Sequence, residues 1–244
     1  MVSRVVLVTG AGGGLGRGVA AAFAAGGAHV VLVGRAQAAL SQTGELVQRA
    51  GGTATILPID VTDADALAAG FQALPHLDVA VNAAGVIEPG LLGDMEDAAF
   101  DRVFDVNVRG LWLSMKNEIR TMRRSGGGAI INIGSNVGTR LIRPSLGGYA
   151  ASKAAVSALT KTAALEELPH GIRINCVCPG PIDTPLSYRP GETAAIRDAR
   201  LKRTNPSGRV AAPSEIAAAV VWLASPEASY VIGQEIVIDG GASV

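Results

Sequence analysis

The sequence predicts an α/β fold in which a doubly wound, mostly parallel sheet of about seven strands carries helices on both faces. Three observations predict it. Short apolar, β-branched runs recur along the chain and lack the in–out alternation of a half-exposed strand. Each is followed by a stretch of helical length and composition. A glycine-rich turn, Thr9-Gly10-Ala11-Gly12-Gly13-Gly14-Leu15-Gly16, separates the first such run from the first helical stretch. The 244 residues, 48% hydrophobic and 17% charged, can fill a large core and suit one domain over residues 1–244 better than two.

In chain order, residues 4–8 form the first expected strand and 15–25 its helix. Residues 29–33 are the second strand, followed by a helix over 37–50. The third strand is 53–59, and the helix after it, 63–73, opens on acidic residues as its dipole favours. Residues 77–81 make strand four. One long helix is expected over 98–123, with acids early and Arg120, Arg123 and Arg124 late, stopped by Gly126-Gly127-Gly128. Strand five is 129–133, a helix covers 149–168, and strand six is 172–177. A helix over 216–224 follows Pro213, and residues 235–238 close the sheet. The irregular stretch is 185–213, where Pro185, Pro190, Pro206 and Pro213 interrupt a helical segment; it is a candidate substrate lid.

Several functions are disfavoured. Net charge is zero, so no global field would hold nucleic acid or an anionic membrane. No apolar run approaches the ~18 residues needed to cross a bilayer. Residues 1–9 lack the pattern of a signal peptide, so a cytoplasmic location is expected. Cys176 and Cys178 alternate along one strand onto the same face, a poor geometry for a mutual disulfide, and read as packing residues. His29, His76 and His170 are scattered without ligand spacing, and no catalytic metal is expected.

The glycine turn carries the first positive signal. Glycines let backbone approach a pyrophosphate closely, and the helix behind them offers free N–H groups and a positive dipole end. Strand two then ends Val33-Gly34-Arg35, without the acid that would bind the ribose hydroxyls of NAD. A guanidinium at that place can pair with a 2′-phosphate instead, so NADP(H) is favoured over NAD(H). A solvated arginine at a loop start is the other reading of Arg35.

Tyr149 and Lys153 carry the second signal. Four residues apart on a helix, they share a face. A phenol with a pKa near 10 deprotonates more readily beside a cation, so this pair can give a proton in reduction and take one in oxidation. Ser135 lies just past the carboxyl end of strand five, where open α/β sheets hold their ligands. With no His or acid beside it in the sequence, it is a poor covalent nucleophile. Asn107 falls inside a helix, where asparagine is a weak former, and by itself could be a core amide.

The spacing of Gly10, Gly14 and Gly16 resembles the TGxxxGxG turn of the classical short-chain dehydrogenase/reductase family. The family's later landmarks follow in order: Asn82-Ala83-Ala84-Gly85, Asn107, Ser135, Tyr149-Ala150-Ala151-Ser152-Lys153, and Pro179-Gly180-Pro181-Ile182-Asp183-Thr184. The resemblance covers essentially the whole chain and is closest in look to 3-oxoacyl carrier-protein reductases. It implies a Rossmann fold and hydride transfer between a nicotinamide and a ketone or secondary alcohol. It also implies a cofactor held by Gly10, Gly14, Leu15 and Gly16, with Asp60 and Val61 at the adenine and Asn82, Ala83 and Gly85 along the adenosine. Pro179, Gly180, Ile182 and Thr184 would lie at the nicotinamide, and Tyr149 and Lys153 would meet its ribose. By the same resemblance Ser135 binds the substrate oxygen, while Asn107 bends its helix and holds a water linking Lys153 to solvent. NADP-preferring relatives often carry a second basic residue where this chain has Gly13; Arg17 lies nearby.

Expected pocket walls are Val86, Ile87, Asn136, Val137, Leu141, Ile142, Leu186 and Tyr188, which suggest a moderately hydrophobic small molecule. The lid segment holds Arg189, Arg197, Arg200, Lys202 and Arg203 against Glu192 and Asp198, readable as an anion-attracting patch or as a solvated helix face. Carrier-protein reductases dock an acidic carrier through basic residues at places where this chain has Ala129 and His170. A free carbonyl substrate is therefore favoured over 3-oxoacyl carrier-protein. A nucleotide-binding regulatory protein without turnover is the remaining alternative. The resemblance further implies a homotetramer, for which Ala154, Ala155, Ala158, Ala163 and Ala164 would permit close helix approach or serve packing within the chain.

Overall fold

The computed structural model describes residues 4–189 and 191–244; Pro190, one of the four prolines of the expected lid stretch, lies outside them, as do the first three residues of the stretch read for a signal peptide. Strands β1 (Val5–Thr9), β2 (His29–Gly34), β3 (Thr53–Pro58), β4 (Val79–Asn82), β5 (Gly128–Ile133), β6 (Ile172–Pro179) and β7 (Glu235–Ile238) form one sheet in the order β3-β2-β1-β4-β5-β6-β7. Every pairing is parallel. The strand order reverses between β1 and β4, which opens a crevice at their carboxyl ends.

Helices α1 (Gly14–Ala24), α2 (Gln37–Arg49) and α9 (Pro213–Ala224) cover one face; α3 (Ala64–Gln72), α5 (Leu111–Ser125) and α7 (Gly147–Glu167) cover the other. Val6 and Val8 of β1 pack with Val19 and Phe23 of α1 and Val220 and Leu223 of α9. Val5 and Leu7 pack instead with Leu67 and Phe71 of α3. Successive strand residues thus enter two different cores, so the strands read as continuous apolar runs. Burial of each such Val or Leu contributes about 1.5–3 kcal/mol. Cys176 and Cys178 are free thiols in the second core, with their sulfurs 3.7 Å apart.

The helix expected over 98–123 is interrupted. Helix α4 (Asp97–Phe104) passes into a π-helical turn (Asp105–Gly110) before α5 begins. The widened turn holds Asn107, whose amide bonds the Val86 backbone and Ser152 rather than solvent. Gly126 ends α5 in a left-handed conformation at φ +92°, a state a side chain would disfavour. After β5, the short α6 (Asn136–Thr139) is a single broken turn capped by the Ser135 hydroxyl. The stretch after β6 is more regular than expected: α8 (Ala194–Thr204) fits between the prolines, with Thr193 capping its first turn.

Candidate active site

The turn from β1 into α1 is built for close backbone approach. Gly10 has φ +68°, and a Cβ there would lie 2.7–2.8 Å from backbone atoms of Ala83 and Ala84. The Thr9 hydroxyl accepts from the Ala84 amide at 3.3 Å, and Ala11 donates to the Val33 carbonyl at 3.1 Å. The turn is therefore tied to the ends of β4 and β2. Helix α1 opens with no side-chain cap and no acid in its first turn, whereas Asp63 caps α3 and Thr193 caps α8. A Cβ on Gly14 would lie 3.5 Å from the Thr184 side chain, which brings the segment after β6 over the same turn. Unsatisfied N–H groups above a side-chain-free floor fit a pyrophosphate. Leu15 and Gly16 are buried behind that floor.

Arg35 is exposed at the end of β2 and makes no hydrogen bond or ion pair among the described residues. Arg17 is engaged elsewhere, donating to the Gly12 carbonyl at 2.8 Å and to Thr43 and Gln42. The Asp60 carboxylate accepts from the Thr62 amide and hydroxyl at 3.0 and 2.9 Å. Val61 is buried against Gly110. The side chain of Asn82 turns into the protein: its amide donates to Glu118 at 2.9 Å and Asn132 at 3.0 Å.

At the other end of the crevice, Tyr149, Lys153, Ser135 and Asn107 come together. Tyr149 and Lys153 are both buried on α7, with the ammonium 5.8 Å from the centre of the phenol ring. The Lys153 Nζ donates to the Ile133 carbonyl at 2.8 Å, and burial lowers its pKa to about 8. Burial also raises the Tyr149 pKa above the ordinary phenol value, against a smaller opposing hydrogen bond with Ser135. The Ser135 oxygen accepts from the Val137 amide at 3.1 Å, which leaves its own proton free to donate. Asn107 accepts from the Val86 amide at 2.8 Å and donates to the Val86 carbonyl and Ser152 hydroxyl at 2.9 and 3.0 Å. A Cβ on Gly85 would lie 3.4 Å from the Asn107 oxygen and 3.7 Å from Lys153 Nζ, so the loop after β4 runs in contact range of both.

Pro179 ends β6, and Gly180 is pressed against Asp239, where a Cβ would lie 2.7 Å away. Ile182 bridges to Ala211, which joins this segment to the far end of residues 185–213, the stretch expected to form a lid. Of the expected walls, Val86, Ile87, Val137 and Leu141 are half-buried; Ile142, Leu186 and Tyr188 are exposed. Asn136 turns away to bond Asp239 at 3.2 Å. The basic residues of that stretch divide: Arg197 pairs with Asp183 and Asp198, and Arg200 pairs with Glu192, while Lys202 and Arg203 stay exposed in the last turn of α8. Ala129 is buried in the sheet. Sequence reasoning missed the contribution of Ser152 and the burial of Arg197. Charge in a loop gave no hint that one of several arginines would fold inward.

Among the described residues no group of three or more His, Cys, Asp or Glu could hold a metal. No helix among them is long and apolar enough to cross a membrane.

The chain matches, over residues 10–243, a family model described as enoyl-(acyl carrier protein) reductase. It is 39% identical to the galactitol 2-dehydrogenase (L-tagatose-forming) of Cereibacter sphaeroides, across 97% of this chain and 94% of that protein. It is 38% identical to the cis-4-hydroxycyclohexanecarboxylate dehydrogenase of Sinomonas cyclohexanicum, across 98% and 96%. Its fold superposes with a TM-score of 0.91 on the crystal structure of a 3-oxoacyl-[acyl-carrier protein] reductase from Brucella melitensis, 33% identical, across 99% of this chain and 91% of that one.

Proposed function

The chain belongs to the short-chain dehydrogenase/reductase family, nicotinamide-dependent oxidoreductases of alcohol and carbonyl groups, and from that premise we propose that it interconverts a free, moderately apolar ketone and its secondary alcohol, with Tyr149 as general acid and base and with NADP(H) preferred over NAD(H). The observation that carries the reading is the meeting of a buried phenol, a serine hydroxyl and a lysine at one end of a crevice whose other end is an uncapped, glycine-floored helix N-terminus.

When bound, the dinucleotide supplies or accepts the hydride and, in its oxidised form, brings a positive charge. The rest is the work of the chain. In reduction Tyr149 gives its proton to the carbonyl oxygen, and burial keeps the phenol protonated and ready to donate. Ser135 donates to the same oxygen as negative charge grows there. Lys153, at about 8, is mostly protonated at neutral pH and provides a cation beside the phenol. Asn107 pins Val86, and through it the loop after β4, against Ser152 on the Tyr149 helix. Glycines and the α1 N-terminus would hold the pyrophosphate; Arg35 would face a 2′-phosphate. Asp60, Val61, Ala83 and Gly85 would line the adenosine side, and Pro179, Gly180, Ile182 and Thr184 the nicotinamide side.

Residues 185–213 are proposed as the substrate lid of this one domain. A free substrate is favoured over a carrier-bound one because Ala129 is buried where carrier docking would need a surface cation. A homotetramer is part of the same proposal, supported by exposed Trp112 on α5 and Leu165 on α7. Ala163 and Ala164 are buried within the chain and serve its own packing.

The test is the loss of reduced-nicotinamide absorbance when the protein meets a panel of cyclic and acyclic ketones with each cofactor. Turnover of neutral ketones, faster with NADPH, is expected. Binding of NADPH with no turnover of any ketone, and no reverse reaction with any secondary alcohol, would remove the reading.

A further inference from the structure

One cation of the lid is folded inward. The Arg197 side chain is only 5% exposed, although Asp198, Lys202 and Arg203 of the same helix lie at the surface and Arg200 is half-buried. Its Nη1 donates to Asp183 at 2.6 Å and to the Ser187 hydroxyl at 3.4 Å. Its Nε and Nη2 donate to one oxygen of Asp198 at 2.9 and 2.7 Å. The guanidinium carbon lies 4.4 Å from the centre of the Tyr188 ring, in stacking range. Asp183 sits between Ile182 and Thr184, and Thr184 lies against the glycine turn. One planar group thus touches the segment after β6, the start of the lid and the lid helix.

We propose that Arg197 is a positioning residue for the reaction: it fixes Tyr188 and α8 to Asp183, so that a filled cofactor site holds the outer wall of the substrate pocket in place. The inference rests on the function proposed above for the site itself. Burial argues for this role over a surface ion pair. A buried guanidinium costs desolvation and is retained where its geometry is satisfied on several sides, as it is here. Its engagement also takes it out of reach of a substrate anion. The two carboxylates are 58% and 59% exposed, so they stay solvated if the arginine is removed and Arg197→Met can fold.

The test compares wild type with Arg197→Met by tryptic cleavage after Lys202 and Arg203, with and without saturating NADPH, alongside the NADPH dissociation constant and the KM and kcat for a ketone. In wild type, NADPH should slow lid cleavage by about tenfold, as expected when a ligand suppresses local opening. In the variant that protection should fall below about twofold while NADPH affinity is kept, and KM should rise about tenfold with kcat little changed. Wild-type protection and wild-type KM in the variant would overturn the proposal, as would the absence of any protection by NADPH in wild type. The proteolysis readout needs no turnover, so a protein that binds NADPH and reduces no ketone would end the functional reading and leave this inference to stand or fall on the lid. If Arg197→Met melts early, Asp183→Asn keeps the guanidinium paired with Asp198. That variant should also lose protection, and full protection in it would overturn the coupling.

Discussion

Arg35, just past the end of β2, is exposed and makes no hydrogen bond or ion pair among the described residues. Unpaired and exposed, Arg35 has no contact that would explain it as a packing residue. A charge-assisted bond to a phosphate is worth about 1.5–3 kcal/mol, so Arg35→Ala should raise the KM for NADPH about ten- to a hundredfold and leave that for NADH nearly unchanged. Equal shifts for both cofactors, measured by initial rates, would count against the NADP(H) preference. At this scale spacing, position after a strand and the family resemblance together single out Tyr149, Lys153 and Ser135 as candidates, and the structure brings the three side chains together. Asn82 was less so. Its position at the end of β4 was readable, but the direction of its amide depends on Glu118, Asn132 and Thr160, brought in by three other elements.

Those residues form a polar cluster between β4, β5, α5 and α7. Glu118 is fully buried there, and desolvation raises its pKa to about 8 despite the hydrogen bond from Asn82. The Glu118 oxygen that Asn82 does not reach and the Asn82 oxygen lack partners among the described residues, as suits a carboxyl that carries a proton. Between its ordinary value of 4.5 and about 8 the folded chain keeps a proton that the unfolded chain has lost, so stability falls as pH rises through that window and levels off above it. Glu118→Gln removes the group. Its Tm advantage over wild type should grow from about pH 5 to about pH 8, and parallel curves would contradict a buried neutral acid. Element boundaries tell the same story. The helix expected over 98–123 exists, but the π-helical turn within it carries Asn107, whose partners Val86 and Ser152 lie far away in sequence, so it could not be read locally. Helix α8 was obscured by the prolines that flank it, although Thr193 and the run after it carry an ordinary helix start.

Across the whole molecule, parallel pairing sends every strand's carboxyl end to one edge, and the order reversal between β1 and β4 opens that edge. The glycine turn, the NAAG loop, Ser135 and the segment after β6 each follow a strand, so the fold alone delivers them to one crevice. That is why the fold and the grouping of the candidate site residues were legible in the residues, whereas the inward turn of Arg197 depends on Asp183 and Ser187, which lie before its helix. The most direct measurement is the turnover of Tyr149→Phe beside its affinity for NADPH. Loss of the proton donor should lower kcat by about a hundredfold or more with NADPH binding retained. Near-wild-type turnover in that variant would contradict the assignment of the phenol as the acid and base.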